Sequence, residues 1–266
     1  MRKTVWNNPV ASVAAVFAVG LALANAPAQA GLIGYYEFES SDATDTSGQG
    51  NHGTVGGGGG ISFASNGVGG STAANFSGGV GLANMIDTGI DVNASAIPNL
   101  TMGAFVNAGA GIGSFSKVLS HDNGGFDRTL GLDTRGGSGG FAAFTGGGVL
   151  NSNTNPLAGF DFIAVRYDGT DVTLTVNGAH FTGTDFTGSD VSTFSLFIGG
   201  NPGFGQNWAG QIDNVFVFDH ILTDQELATI EQNGGIGGSA PVPVPAAGLL
   251  MAGVIALGGV GALRRR

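Results

Sequence analysis

Residues 162–179, FIAVRYDGTDVTLTVNGA, contain the feature that most constrains the fold. Apolar side chains alternate with small or polar ones on both sides of Asp168-Gly169, a dipeptide typical of hairpin turns. The stretch therefore predicts two antiparallel strands, each with one buried face. The same reasoning predicts seven further strands, at residues 32–38, 100–106, 116–120, 129–133, 140–145, 194–198 and 211–218.

The order of these segments favours an all-β fold, an antiparallel two-sheet sandwich or jelly roll, because no helical period separates the strands. The 51 glycines cluster between the strands and indicate tight turns, and the run at 56–60 is expected to be a flexible loop. One short helix is predicted near the end of the domain. Thr223 and Glu226 have capping-box spacing, Leu222 and Leu227 can form a hydrophobic staple, and Gly234 ends the apolar stripe.

The first thirty residues have the order of a secretory signal peptide. Arg2 and Lys3 precede an apolar run at 10–23, and Ala28-Gln29-Ala30 is a site of the kind that signal peptidase cuts. We therefore expect residues 1–30 to be removed, which leaves residues 31–235 as one exported domain.

The C-terminal residues have the composition of a linker followed by a membrane helix. Residues 236–245 are Gly/Ser-rich and then Pro-rich, and residues 246–263 contain no charge, which gives a helix of roughly 27 Å. The basic tail Arg264, Arg265 and Arg266 would stay in the cytoplasm, so the domain would face the periplasm from the inner membrane.

Charge and cysteine content exclude two classes of protein. The expected mature domain has four basic residues against all nineteen acidic ones, a net charge of −15, so no nucleic acid partner is expected. No cysteine is present, which excludes a disulfide scaffold and thiolate chemistry. The four histidines show no ligand spacing and are expected to be solvated or hydrogen-bonded; they are His52, His121, His180 and His220.

The tail resembles a known sorting signal. A VPVPA motif, an uncharged Gly-rich segment and a terminal arginine cluster follow one another, with the motif at Val242, Pro243, Val244, Pro245 and Ala246. This order resembles the PEP-CTERM class in its VPLPA variant, with Val244 where that variant usually has Leu. The resemblance implies processing by an exosortase and delivery to the cell surface or matrix of a Gram-negative bacterium. The alternative is a plain anchor that is never cut.

The exported domain resembles the laminin G-like, concanavalin A-like jelly-roll superfamily. Four stretches carry this likeness in order: GYYEFESSDATDTSGQGNHGTV, LTMGAFVNAG, the 162–179 hairpin, and FIGGNPGFGQNWAGQIDNVFVFDHILTDQEL. Where the family usually has tryptophan, this chain has Tyr36 and Phe105. Both are large aromatics and are expected to serve the core.

The resemblance implies a structural calcium site. On the 211–218 strand, Asp213 is expected to share the apolar face of Val215 and Val217, and a buried carboxylate needs a counter-charge. The family pairs this aspartate with the DTSGQGN loop, so the ligands carried over are Asp45, Gly48, Asn51 and Asp213. The alternative is an Asx turn at Asp45 and a hydrogen-bonded carboxylate at Asp213.

We predict no catalytic residues. The Glu-x-Asp-x-x-Glu motif of jelly-roll glucanases is absent, and Glu37 and Glu39 alternate with the aromatic core residues Tyr36 and Phe38. A non-catalytic protein that binds an extracellular polysaccharide or glycoprotein is preferred. The alternatives are a structural biofilm-matrix protein and, least favoured, a glycoside hydrolase. Candidate ligand-binding residues are Trp208, Phe204, Asn207, Phe126 and Asp127, each of which could instead pack back on the domain.

Overall fold

The computed structural model describes residues 31–189 and 194–236. The predicted signal peptide, the motif at 242–246, the 246–263 helix and the arginine tail lie outside these ranges. Within them, no helix is both long enough and apolar enough to cross a bilayer.

The described residues form fifteen strands and one α-helix. The strands are β1 (Leu32–Tyr36), β2 (Thr54–Val55), β3 (Ile61–Ala64), β4 (Ala73–Ser77), β5 (Ile86–Asp87), β6 (Leu100–Ala108), β7 (Lys117–Ser120), β8 (Thr129–Leu132), β9 (Phe141–Phe144), β10 (Val149–Asn151), β11 (Asp161–Tyr167), β12 (Asp171–Val176), β13 (Ala179–Thr184), β14 (Phe197–Ile198) and β15 (Ala209–Phe218). The helix is α1 (Asp224–Asn233).

Two antiparallel sheets form a sandwich in the described part of the chain. The eight-stranded sheet has the order β13-β12-β11-β6-β15-β4-β3, and β1 also pairs with β15. The seven-stranded sheet has the order β10-β9-β8-β7-β14-β5-β2. The predicted all-β architecture is therefore confirmed.

Two apolar clusters hold the layers together. The larger lies between the sheets and includes Tyr36, Ile163, Val165 and Trp208. The smaller lies on the other side of the eight-stranded sheet, where Phe105 and other apolar side chains pack against α1. The helix thus adds a third layer on one outer face.

The α1 helix begins and ends as its sequence predicts. Thr223 accepts a hydrogen bond from the Glu226 amide, and the Glu226 side chain accepts one from the Thr223 amide. Leu222 and Leu227 are both buried in the smaller cluster. Gly234 takes the left-handed conformation, with φ 71°, that ends many helices.

Nine predicted strands are present, and six others escaped prediction. The six are short, exposed on one face or poor in β-branched residues, so alternation is hard to detect in them; they are β2, β3, β4, β5, β10 and β13. In the run at 56–60, Gly56 donates to Met85 O, and a Cβ added to Gly56 would lie 2.5 Å from Ala83 O. Gly56 and Gly58 are thus anchored by backbone hydrogen bonds, whereas a Cβ on Gly57 or Gly59 would meet open space; the flexibility of this loop stays a prediction.

Strand β15 contains a bulge that changes which face Asp213 occupies. Its register with β6 shifts between Asp213 and Phe216, and Asn214 has φ 48°. Alternation therefore restarts after the bulge, with Val215 in the inter-sheet core and Phe216 beneath α1. The expectation that Asp213 shares a face with Val215 and Val217 is wrong.

Candidate functional site

The two predicted binding loops meet at one end of the seven-stranded sheet. The 121–128 loop joins β7 to β8, and the 199–208 loop joins β14 to β15. Asn201 Nδ2 donates to Asp122 Oδ2 at 2.8 Å and to Gln206 Oε1 at 3.0 Å, while its Oδ1 accepts from Ser120 Oγ at 3.1 Å. Asn201 is 1 % exposed, so this buried amide fixes the two loops relative to each other.

Phe204 is the most exposed aromatic residue that these loops contribute. Its side chain is 49 % exposed, and its Cζ would lie 3.9 Å from a Cβ added to Gly124 in the other loop. The 80–82 turn lies beside the 199–208 loop, because a Cβ added to Gly205 would lie 3.9 Å from Val80 Cγ1 and Asn207 Nδ2 donates to Gly81 O. Val80 and Leu82 in this turn are 72 % and 54 % exposed. The loops and this turn form an exposed apolar platform, defined here by Val80, Leu82 and Phe204.

Three of the predicted ligand residues are buried. Trp208 is 0 % exposed in the inter-sheet core, and its Nε1 donates to Gln211 O at 3.3 Å. Asn207 Nδ2 donates to Gly81 O at 3.4 Å, and Asp127 accepts from the Asn123 amide at 3.4 Å. In this structure, Trp208 has no ring face to offer a ligand, so its predicted stacking role is corrected to a role in the core.

Phe126 is partly buried and belongs to a cluster that sequence reasoning missed. It has φ 64° and packs edge-on against Phe144, with ring centroids 5.2 Å apart. The Arg135 guanidinium lies 5.0 to 5.4 Å from the centroids of three rings, those of Phe115, Phe126 and Phe144. We call these four residues the arginine cluster. Arg135 is within cation–π distance of all three rings, which is a favourable arrangement for a cation.

A buried ion network lies below the arginine cluster. Asp133 Oδ1 and Oδ2 accept from Arg135 Nε and Nη2 at 2.9 and 2.7 Å. Lys117 Nζ donates to Asp133 Oδ2 at 2.7 Å and to Leu132 O at 2.6 Å. Lys117 lies in β7, in which every residue is buried. A single lysine in this otherwise uncharged strand was the signal in the sequence that could have indicated a buried ion pair.

Burial and charge shift the pKa values of this network in a consistent way. Burial penalises the Lys117 ammonium more than Asp133 stabilises it, and so lowers the pKa of Lys117 to about 8. Burial alone would raise the pKa of Asp133, but the hydrogen bonds from Arg135 and the charge of Lys117 outweigh it and lower that pKa. Asp133 therefore stays ionised and is unsuited to act as a general acid.

The predicted calcium ligands are engaged in hydrogen bonds. Asp45 Oδ1 accepts from the Tyr35 and Ser47 amides, each at 2.9 Å, and Oδ2 accepts from Ser47 Oγ and the Asn51 amide, also at 2.9 Å. Gly48 belongs to the same turn, with φ 86°. These donors lower the pKa of Asp45 although burial opposes them.

The Asp213 carboxylate is held by a separate turn at 67–71. Its Oδ2 accepts from the Val68 amide at 2.9 Å and from Ser71 Oγ at 2.7 Å, and its Oδ1 accepts from the Asn214 amide at 2.8 Å. Burial raises the pKa of Asp213 despite these donors. Because N–H and O–H groups point at the oxygens of both aspartates, the arrangement does not fit a shared calcium site and fits the hydrogen-bonded alternative.

The histidines also make hydrogen bonds. His52 Nδ1 accepts from the Asp45 amide at 3.1 Å, and His121 Nε2 lies 3.1 Å from Asp91 Oδ1. Across residues 31–189 and 194–236, no group of three or more His, Asp or Glu side chains is placed to hold a metal ion.

The chain belongs to the concanavalin A-like lectin/glucanases superfamily, whose family profile matches residues 84–228, more than half of the sequence. This places the jelly-roll sandwich in a family of lectin-like and glucanase domains, as the sequence stretches indicated. No curated protein matches the chain in sequence.

Solved structures with the same fold include binding domains and parts of enzymes. Domain 4 of AbnA, a GH43 extracellular arabinanase from Geobacillus stearothermophilus, in complex with arabinotriose, has a TM-score of 0.59 and 20% identity over 74% of this chain and 97% of that chain. The binding domain of Paraclostridial Mosquitocidal Protein 1 has a TM-score of 0.55 and 13% identity over 75% and 51% of the chains. Trypanosoma rangeli sialidase has a TM-score of 0.51 and 16% identity over 77% and 34% of the chains. This chain thus spans about half of the toxin domain and a third of the sialidase, and these identities indicate a shared fold alone.

Proposed function

We propose that this protein is an exported, non-catalytic carbohydrate-binding protein whose ligand binds at the apolar platform. The observation that carries the proposal is that a buried amide, Asn201, locks together the two loops that present the half-exposed ring of Phe204. A rigid exposed ring can stack on a sugar at low entropic cost. The match to an arabinanase domain solved with arabinotriose supports an oligosaccharide ligand.

The carboxyl groups with a resolved raised pKa lie away from the platform, which favours a binding role over hydrolysis. A glycoside hydrolase needs one carboxyl group with a raised pKa to protonate the leaving group. In the described part of the chain, raised carboxyl pKa values are resolved at Asp213, beneath the 67–71 turn, and at Glu231 on α1. Glu37 and Glu39 accept hydrogen bonds from Thr46 Oγ1 and the Thr72 amide, away from the loops.

Binding to oligosaccharides tests the proposal. Arabinotriose and soluble polysaccharides are titrated by calorimetry into the wild type, Phe204→Ala and the matched control Phe186→Ala, whose ring is 58 % exposed beside Gly147. We expect Phe204→Ala to weaken binding by roughly tenfold, as for loss of one stacked sugar, and Phe186→Ala to leave it unchanged. Absence of binding to all sugars would instead favour the structural biofilm-matrix protein.

The export route is part of the same proposal and rests on the terminal segments. The order of motif, uncharged segment and arginines supports processing by an exosortase after signal peptidase has acted. Mass spectrometry of the protein from its native host tests this order. Retention of residues 246–266 in the mature chain would contradict processing and would indicate a plain membrane anchor.

A further inference from the structure

A cavity lies on the outer face of the eight-stranded sheet, beside the N-terminus of α1. Its volume is about 320 Å³, within the range of small-ligand sites. Strands β11, β12 and β13 form its floor, because Arg166 pairs with Thr173 and Thr173 pairs with Thr182. The polar residues that line it include Arg166, Asp168, Asp171, Thr173, His180 and Asp224.

Ion pairs and hydrogen bonds hold the wall of this cavity in place. Arg166 Nη1 donates to Leu222 O at 3.0 Å, and Arg166 Nη2 lies 2.7 Å from Asp224 Oδ1. The His180 ring bridges Thr175 Oγ1, 3.0 Å from Nδ1, and Asp224 Oδ1, 3.6 Å from Nε2. Because Arg166 is only 13 % exposed, it holds the cavity wall in place and offers little surface to a ligand.

The charge of the cavity selects its ligand. Three carboxylates, those of Asp168, Asp171 and Asp224, line the cavity with one guanidinium, so the lining has an excess of negative charge in either protonation state of His180. Anionic ligands are repelled, and the polar lining disfavours apolar ones. No set of three metal-ligating side chains is found among the described residues, which include this cavity. Neutral polar ligands and organic cations remain, and the excess of negative charge favours an organic cation.

The hydroxyl groups narrow this class further. Thr173 and Thr182 are cross-strand partners on the cavity floor, and both can donate and accept hydrogen bonds. A sugar ring presents hydroxyls to such a row, whereas a lysine side chain presents only an aliphatic stem. We propose that the cavity binds an amino-sugar residue with a free, protonated amine, such as occurs in a partially deacetylated amino-sugar polymer.

This site is independent of the apolar platform. The platform lies at the end of the seven-stranded sheet, whereas the cavity is on the outer face of the other sheet. One domain would therefore hold two polysaccharide segments at once, which is the property required to cross-link an extracellular matrix.

A matched pair of ligands tests the inference. The trimers of glucosamine and N-acetylglucosamine are titrated into the purified protein at mildly acidic pH, so that the free amines carry their charge. We expect the glucosamine trimer to bind roughly fivefold more tightly or better, and Asp171→Asn to remove most of this preference. Asp42→Asn, the same charge change in an exposed turn outside the cavity, should leave it intact.

Three results would overturn the inference. The first is equal affinity for the two trimers. The second is binding of trilysine as tight as that of the glucosamine trimer, which would show attraction to charge alone. The inference instead expects Thr182→Val to weaken binding of the glucosamine trimer and to leave binding of trilysine unchanged. The third is equal weakening by Asp171→Asn and Asp42→Asn.

Phe204→Ala separates this inference from the proposed function. We expect it to weaken sugar binding at the platform and to leave the glucosamine trimer bound at the cavity. Loss of glucosamine binding in Phe204→Ala would place that ligand at the platform and refute a second site. If no neutral sugar binds at the platform, the preference of the cavity for the glucosamine trimer can still be measured and still tests the second site.

Discussion

Asn201 Nδ2 donates to Asp122 Oδ2 at 2.8 Å and so joins two loops whose bonded residues are 79 positions apart in the sequence. Both residues are buried, and Ser120 and Gln206 complete the bonding of the amide. The contact sets the position of Phe204 relative to Gly124, and therefore the shape of the apolar platform.

Removal of this amide is expected to loosen both loops. Asn201→Ala leaves the buried Asp122 carboxylate without one donor, which should lower the free energy of unfolding by about 2–3 kcal/mol. Hydrogen exchange should accelerate in residues 121–128 and 199–208. Asn66→Ala, in the exposed pair with Asn75, serves as the control and should change stability by less than about 0.5 kcal/mol. Unchanged exchange in Asn201→Ala would show that other contacts hold the loops.

The two aromatic residues of the 199–208 loop should respond differently to truncation. Trp208→Ala empties a site in the inter-sheet core and should cost about 3–5 kcal/mol of unfolding free energy. Phe204→Ala removes a half-exposed ring and should leave the unfolding free energy within about 0.5 kcal/mol of the wild type. Urea denaturation measures both. A stable Trp208→Ala protein with lost sugar binding would restore the sequence-based assignment of Trp208 as a ligand residue.

Calcium is expected to leave the stability of the domain unchanged. Amide and hydroxyl donors already surround the carboxylates of Asp45 and Asp213, so a cation would have to displace them. Scanning calorimetry with EDTA and then with excess calcium measures the effect on Tm. A rise in Tm with calcium, together with stoichiometric metal by elemental analysis, would support the calcium site implied by the family resemblance.

Lys117 should make stability depend on alkaline pH. Its pKa is about 8 in the folded protein and near the ordinary 10.5 in the unfolded chain. Between these values the unfolded chain binds more protons, so this residue makes stability rise with pH across that window. The unfolding free energy of the wild type, measured relative to that of Lys117→Met, should rise by up to about 3 kcal/mol from pH 8 to 10.5.

The Lys117 titration can also be observed directly. Lys3 is the other lysine of the sequence, so the nitrogen resonances of labelled lysine side chains are easily assigned. A Lys117 resonance that titrates near 10.5 would show that burial does not outweigh the charge of Asp133 and would contradict the lowered pKa.

Most of the fold could be predicted because its signals are local. Alternation across Asp168-Gly169 and the capping pair Thr223 and Glu226 depend on neighbours a few residues apart, and both are confirmed. The short strands such as β2 and β5, two residues each, carry too few alternations to be detected. Their pairing depends on strands that are distant in the sequence.

The candidate site was predicted only in part. Both loops were identified from Phe126 and Phe204, but the sequence does not show that they touch. The arginine cluster around Arg135 was missed because its rings come from three separate segments. The face of Asp213 was assigned wrongly because the bulge at Asn214 interrupts the period of two.

The sequence by itself determined the alternating strands, the turns, the capped helix and the excess of negative charge, because each follows from residue type and short spacing. Only the tertiary structure decided that Trp208 is a core residue, that Asn201 joins the two loops, and that donors from the 67–71 turn surround Asp213. The physical reason is that burial and hydrogen bonding at these positions depend on which distant segments pack together, which no local pattern specifies.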